Sequence, residues 1–331
     1  MGPPAVAGAA IARAARKTTD LLIKYPLFIL TNAEEYQRHS VKASEVTTVQ
    51  QRLDSWAAMA EGHMTAIVVC LFVFFAAVEL FGRGFGSPPN TSLGRMSTNF
   101  GLVVISAVVA LVVPLSSMAG ALLASANGWG LFNVWLAPWW IVIVVALVAR
   151  TLAGYWIHRA MHAVPWLWRI HRVHHSDTHF DLTLSLRSHP FDALLRMMVF
   201  AGVSLALGLP IWAVLLVEVA LTAANFWEHV DATLPPMMQR ALGTVLVTPA
   251  AHRLHHSAWQ PQTDSNFGAG LIVWDRLFGT YRSPQAEQAE RIGLGDAHDH
   301  AASNLWQQLL LPFADADADA EESRAVSRSP E

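Results

Sequence analysis

An all-α, polytopic membrane helical bundle with a cytoplasmic, histidine-rich helical cap is the fold this sequence predicts, and three features predict it. Hydrophobic residues make up 53% of the 331 residues and charged residues only 14%, where a soluble domain carries roughly 25% charge. No Asp, Glu, Lys or Arg occurs from Gly101 to Ala149. Nine of the 15 histidines fall in four short clusters beside apolar stretches. The same composition excludes a disordered, collagen-like or coiled-coil chain. A net charge of −3 gives nucleic-acid binding no electrostatic support. Cys70, the sole cysteine, sits inside an apolar run, so neither a disulfide framework nor a thiolate metal site is available.

The elements follow in order. Residues 1–60 read as an N-terminal extension, 61–284 as the membrane domain and 285–331 as a C-terminal tail. The extension carries Arg13, Arg16, Lys17, Lys24, Arg38, Lys42 and Arg52, but no apolar run behind residues 13–17 that would make a cleavable signal. Thr65 to Gly82 is long enough to span a membrane, and Glu79 and Arg83 at its end can snorkel to the interface. At ~20 residues per spanning helix, Gly101–Ala149 holds two spans, about 101–123 and about 132–153, parted by the Gly-rich turn 125–130. Trp129, Trp135, Trp139 and Trp140 beside that turn fit an interfacial aromatic belt. The apolar stretch Ala193–Phe226 is broken at Gly208-Leu209-Pro210 and reads as a helical hairpin that returns the chain to the side it left. Arg83 and Arg95 before the uncharged stretch, and Arg150, Arg159, Arg169 and Arg172 after it, place the 83–100 loop and the histidine region in the cytoplasm. The basic extension opposes that orientation, being an odd number of spans away. Ala314–Glu322, alternating Ala with Asp, reads as part of a disordered acidic tail.

The clusters are His158-x3-His162, His171-x2-His174-His175, Asn225-x3-His229 and His252-x2-His255-His256. On a helix, positions i, i+3 and i+4 share a face, so each cluster can point its imidazoles at one centre. Imidazole suits iron, zinc, copper and nickel. Nine histidines exceed the roughly three protein ligands of a zinc hydrolase, whereas two metals with four or five ligands each use the full set. Zinc has no redox chemistry, so oxygen activation here needs iron or another redox metal. His39, His63, His298 and His300 lie in polar flanks and read as surface residues. Two other functions fit the same clusters. One is a membrane zinc hydrolase with Glu228 or Asp231 as its acid–base carboxylate. The other is a metal-transporting or metal-buffering protein, which the charge-free stretch 101–149 disfavours.

With its boxes in this order, the sequence resembles the fatty acid hydroxylase / sterol desaturase superfamily of integral membrane di-iron oxygenases. The likeness extends to His174-His175-Ser176-Asp177-Thr178, Leu186-Arg187-Ser188-His189-Pro190, Val247-Thr248-Pro249, Thr263-Asp264-Ser265-Asn266-Phe267-Gly268 and the stretch Trp274–Tyr281. It covers roughly residues 65–282. The resemblance implies two iron ions, O2, and hydroxylation or desaturation of a C–H bond in a lipid such as a fatty acyl chain or sterol. It implies a multi-pass bacterial inner-membrane protein with its site on the cytoplasmic side. No dinucleotide fingerprint or haem motif is visible, so electrons would come from a separate ferredoxin, cytochrome b5-like protein or reductase. The implied ligands are His158, His162, His171, His174, His175, His229, His252, His255 and His256, with no catalytic residue beyond them. Asn225, Asp231, His189 and Asp177 are implied as further ligands or as groups that orient ligands. Asp231 stands where the family usually has Asn, and Asp192 where Glu is common.

Overall fold

The computed structural model describes residues 51–57, 62–82, 93–113, 115–287, 289, 291–295 and 302–314. The chain divides into Met1–Ser55 and Trp56–Glu331, and the helices below belong to the second unit. The expected disorder of the acidic tail falls outside the described residues.

Those residues form thirteen named α-helices and no sheet. They are α1 Met64–Gly82, α2 Leu93–Val112, α3 Ser117–Asn127, α4 Leu131–Val134, α5 Trp139–Ala163, α6 Pro165–His175, α7 Pro190–Leu207, α8 Ile211–His229, α9 Pro236–Leu242, α10 Pro249–His255, α11 Gln260–Thr263, α12 Val273–Phe278 and α13 Leu305–Leu310. Extended pairing is limited to two isolated bridges, Leu246–Leu271 and Ser257–Ile292. Five stretches among the described residues are long and apolar enough to cross a membrane: α1, the run Leu93–Val134, α5, α7 and α8. The chain is thus an all-α bundle of candidate membrane helices with shorter helices around its histidines.

The helix limits differ from those expected in the uncharged stretch. In place of one helix over 101–123, α2 starts at Leu93 and ends at Val112, and α3 begins at Ser117 under a Ser116 cap. The early start is possible because Arg95, Thr98 and Asn99 are buried against polar partners. In place of 132–153, α5 begins after Pro138 and runs unbroken to Ala163. Nothing stops it before Pro165, whose missing N–H suits the first turn of the next helix. His158 and His162 therefore stand on the spanning helix itself. The expected hairpin is α7 and α8, joined through Gly208 at φ 62, a left-handed conformation that suits glycine. Gly208 also meets Gly130, where a Cβ would come within 2.2 Å of the Gly208 nitrogen. The α3–α4 and α7–α8 turns thereby share one end of the bundle. Trp129, Trp135, Trp139 and Trp140 in and after the first of them are all exposed.

The opposite end is the histidine end. Glu79, near the end of α1, accepts from the backbone N–H of Leu182 (2.7 Å) and of Asp231 (2.9 Å). Arg95, in the first turn of α2, pairs with Asp177 (2.9 Å) and Asp181. These bonds bring together the end of α1, the start of α2, the link between α6 and α7, and the end of α8. Between the helices, Arg150 on α5 pairs with Glu218 on α8 (2.8 Å), and Glu218 accepts from Ser117 on α3 (2.7 Å). Outside the spans, α10 packs its buried Ala251 against Val247 and Ile272. Thr248 caps it and Pro249 starts it.

Candidate metal centre

The nine clustered histidines converge at that end in two sets. His158, His162, His171, His175 and His255 form one, and His174, His229, His252 and His256 the other. Within each set one ring nitrogen per residue lies within 4.8 Å of the others. Each H-x2-H-H cluster is divided between the sets, which corrects the expectation that each serves one centre. His171 and His175 face the five-histidine set and His174 the other; His252 and His256 face the four-histidine set and His255 the other. The reason is helical geometry. At 3.6 residues per turn, i and i+4 differ by about 40° around the axis, while i+3 is about 100° from i+4. Two adjacent centres flanking each helix receive the two directions.

Ring orientation is set from behind. The Nδ1 atoms of His158, His174, His229 and His255 lie 2.9, 2.8, 2.7 and 2.8 Å from the carbonyl oxygens of Phe267, Arg187, Asn225 and Ser265. Those of His171 and His162 lie 2.7 Å from Asp192 and 3.2 Å from Asp264. These partners only accept, so each Nδ1 carries the proton and each Nε2 keeps its lone pair. Burial lowers the pKa of His171, His174, His175, His252, His255 and His256, favouring the neutral, ligating form.

The loop Asp264–Phe267 supplies three of the six acceptors. Asn266 makes it possible by adopting φ 51, uncommon for a residue other than glycine. Its side chain donates to Ala251 and Arg282 carbonyls and accepts from the Arg282 N–H. Asp275 then receives the N–H groups of Phe267 (2.7 Å) and Gly268 (2.8 Å).

The donor set fits metal ions. The Nε2 atoms of His158, His162, His171 and His255, and both ring nitrogens of His175, are buried with no hydrogen-bond partner. An orphaned buried polar atom is costly unless something binds it. In the other set, His252 Nε2 lies 3.1 Å from His229 Nε2 and 3.2 Å from His256 Nε2. Nitrogens bound to one ion at 2.0–2.1 Å would stand ~3.0–3.4 Å apart. Two aromatic rings close the sets outward: Trp168 lies 4.9 Å from His162, and Phe180 lies 5.7 Å from His256. A cavity of ≈ 290 Å³ touches both sets through His158, His174, His229 and His252, with Asn225, Glu228 and Arg196 on its walls.

The remaining candidates belong to neither set. Asp231 pairs with Arg253 at 3.1 Å. His189 caps α7, its Nδ1 accepting from the Phe191 N–H. Asp177 holds Arg95 and Asn99, both at 2.9 Å. Asn225 faces the cavity, and its backbone carbonyl orients His229. The carboxylates that do meet imidazoles are Asp192 and Asp264, which sequence reasoning did not single out for that role. Their signals were a carboxylate two residues after Pro190 and the Thr263–Gly268 motif.

A fatty acid hydroxylase family model matches residues 143–280, which contain all nine histidines. Alkylglycerol monooxygenase of Danio rerio is 29% identical over 177 residues, 53% of this chain and 36% of that protein. Alkylglycerol monooxygenase of Xenopus tropicalis is 31% identical over 209 residues, 60% of this chain and 44% of that protein. Ornithine lipid hydroxylase OlsE of Rhizobium tropici is 28% identical over 172 residues, 52% of this chain and 50% of that protein. The alignments thus span between about a third and a half of these relatives. No solved structure matches. Residues 143–280 thus match the fatty acid hydroxylase family, and the helical bundle gathers the nine histidines of that stretch at one end.

Proposed function

We propose that this chain is a membrane-embedded, O2-dependent oxidoreductase that hydroxylates or desaturates a C–H bond of a lipid. The observation that carries the reading is the division of nine imidazoles, seven of them on buried residues, into a set of five and a set of four beside one shared cavity. His158, His162, His171, His175 and His255 would hold one iron ion, and His174, His229, His252 and His256 the other. When bound, the iron pair supplies O2 activation and abstraction of hydrogen from an unactivated carbon.

The protein's own part is to orient, to exclude water and to admit substrate. Backbone carbonyls and two aspartates fix the ring tautomers, which raises ligand basicity as well as holding geometry. Trp168 and Phe180 shield the sets. The shared cavity lies between α5, α7 and α8, all candidate spans, so a lipid tail can reach it from within the bilayer. Relatives named for alkylglycerols and for an ornithine lipid support a lipid substrate. The side carrying the site is the cytoplasm, from the arginines around it. There a ferredoxin, cytochrome b5-like protein or reductase would deliver electrons.

The test joins metal analysis with lipid analysis. Purified under reducing conditions, the chain should carry about two iron ions. Deletion and overexpression strains should differ in a lipid that gains one oxygen or loses two hydrogens. Stoichiometric zinc without O2 consumption would overturn the proposal.

A further inference from the structure

The segment Leu305–Phe313, comprising α13 and the 3-10 turn Leu311–Phe313, has two unlike faces. Its inner face is tied to the histidine end. Leu305, Leu309 and Leu311 pack with Leu102 of α2 and Val173 of α6. Ser176 donates to Gln308 (2.7 Å), Arg172 to the Leu311 carbonyl (2.6 Å), and His189 Nε2 lies 3.3 Å from the Leu309 carbonyl. Its outer face carries Trp306, Leu310 and Phe313, exposed by 74%, 61% and 64%. Their i, i+4, i+7 spacing places them on one side.

The level of this face is set by what the inner face touches. Leu305 sits over Gly101, where a Cβ would come within 2.8 Å of its side chain. Gly101 is where α2 turns from buried polar residues, Arg95, Thr98 and Asn99, to uncharged sequence. The Phe313 ring lies 6.4 Å from Phe191, the second residue of the α7 span. The segment therefore crosses two candidate spans where they become apolar. Both spans also expose apolar residues near this level, Phe100 and Val104 on α2 and Phe191 on α7. An exposed aromatic–aliphatic face at that depth fits the boundary between headgroups and acyl chains.

We infer that Leu305–Phe313 lies in the plane of the bilayer, with Trp306, Leu310 and Phe313 among the lipid headgroups and upper acyl carbons, and that this seating braces the histidine-bearing α6. The inference rests on the spanning reading of α2 and α7 and not on the proposed chemistry.

The experiment uses the full chain with Cys70→Ala and single cysteines introduced as Trp306→Cys, Leu310→Cys or Phe313→Cys. Each is labelled with an environment-sensitive nitrobenzoxadiazole dye in phosphatidylcholine–phosphatidylglycerol vesicles. Val104→Cys is the lipid-facing control and Gln285→Cys the aqueous one. All three test positions should give blue-shifted emission and lose intensity to shallow doxyl-labelled lipid, as Val104→Cys does, while resisting iodide. Water-like emission with iodide quenching equal to that of Gln285→Cys would overturn the inference. So would shielding from both quenchers that fades on dilution, which would assign the face to a second copy of the chain. If Val104→Cys itself escapes lipid quenching, the spanning reading fails and the inference with it. Leu310→Cys and Phe313→Cys keep the test standing should Trp306→Cys fail to fold.

Discussion

The two histidine sets are built from the same residue type but held differently. In the five-histidine set, two rings meet carboxylates, Asp192 and Asp264, and two meet carbonyls of the Ser265–Phe267 loop. In the four-histidine set no carboxylate backs a ring: His174 and His229 meet carbonyls, and the Nδ1 atoms of His252 and His256 have no partner. Asp192 is itself gripped by Arg196 at 2.6 Å. Carboxylate backing makes an imidazole a stronger donor. The five-histidine set is thus the more electron-rich and the more firmly oriented, and the four-histidine set the more adjustable.

The largest expected effect comes from separating the sets through adjacent residues. His255→Ala should remove the metal of the five-histidine set, and His256→Ala that of the four-histidine set, each abolishing lipid conversion. Metal per chain and the spectrum of what remains would check this. If both variants lost the same metal, or either kept full activity, the division into two sets would be wrong. His174→Ala should behave as His256→Ala does, although its neighbour His175 belongs with His255.

Next comes the carboxylate backing. Asp192→Asn should lower metal affinity or activity by ~10–100-fold, the usual cost of losing a group that orients a ligand. Asp264→Asn should cost less, because its carboxylate is 44% exposed and its contact with His162 is longer at 3.2 Å. Equal and negligible effects would erase the distinction between the sets.

Acid offers a third comparison. The six clustered imidazoles outside the spans all have lowered pKa values. Stability from their neutral forms is therefore fully present above the unfolded value near 6.5. It declines as pH falls through the folded values. His171 is lowered less than His174, His252 and His256, since Asp192 partly offsets its desolvation. The five-histidine set should release metal first on acidification. Titrating metal content between pH 7.5 and 5 in wild type and His256→Ala would show it, and release from the four-histidine set first would contradict it.

Much of this was legible in the sequence because helices repeat. The i, i+3, i+4 spacing announced eight of the nine histidines, His229 standing alone in its box, and Gly208-Leu209-Pro210 marked the hairpin turn. The partition between sets was not legible, since spacing gives angular directions but not how many centres flank a helix. The rear acceptors were hidden too. Four of the six are backbone carbonyls, and three of these, of Phe267, Arg187 and Ser265, lie outside the α-helices, where positions depend on loop geometry such as the left-handed Asn266. The spans of the uncharged stretch were misplaced for a related reason: apolar composition does not locate helix ends, which Pro138, Ser116 and the buried polar partners of Arg95 decide.

Asp231 provides the smallest and sharpest comparison. It lies two residues after His229, and sequence resemblance alone made it a possible ligand or orienting group. Its carboxylate instead meets Arg253 at 3.1 Å, with both side chains over a third exposed. Such pairs contribute ~0–1 kcal/mol. Asp231→Asn restores the residue usual in the family and leaves every imidazole contact in place. Metal content should be unchanged, and conversion should stay within ~5-fold, the factor to which ~1 kcal/mol corresponds. Arg253→Gln should match it. Loss of the four-histidine metal in Asp231→Asn, with Arg253→Gln intact, would instead make Asp231 a ligand. The contrast between a carboxylate-backed set and a carbonyl-backed one would then be gone.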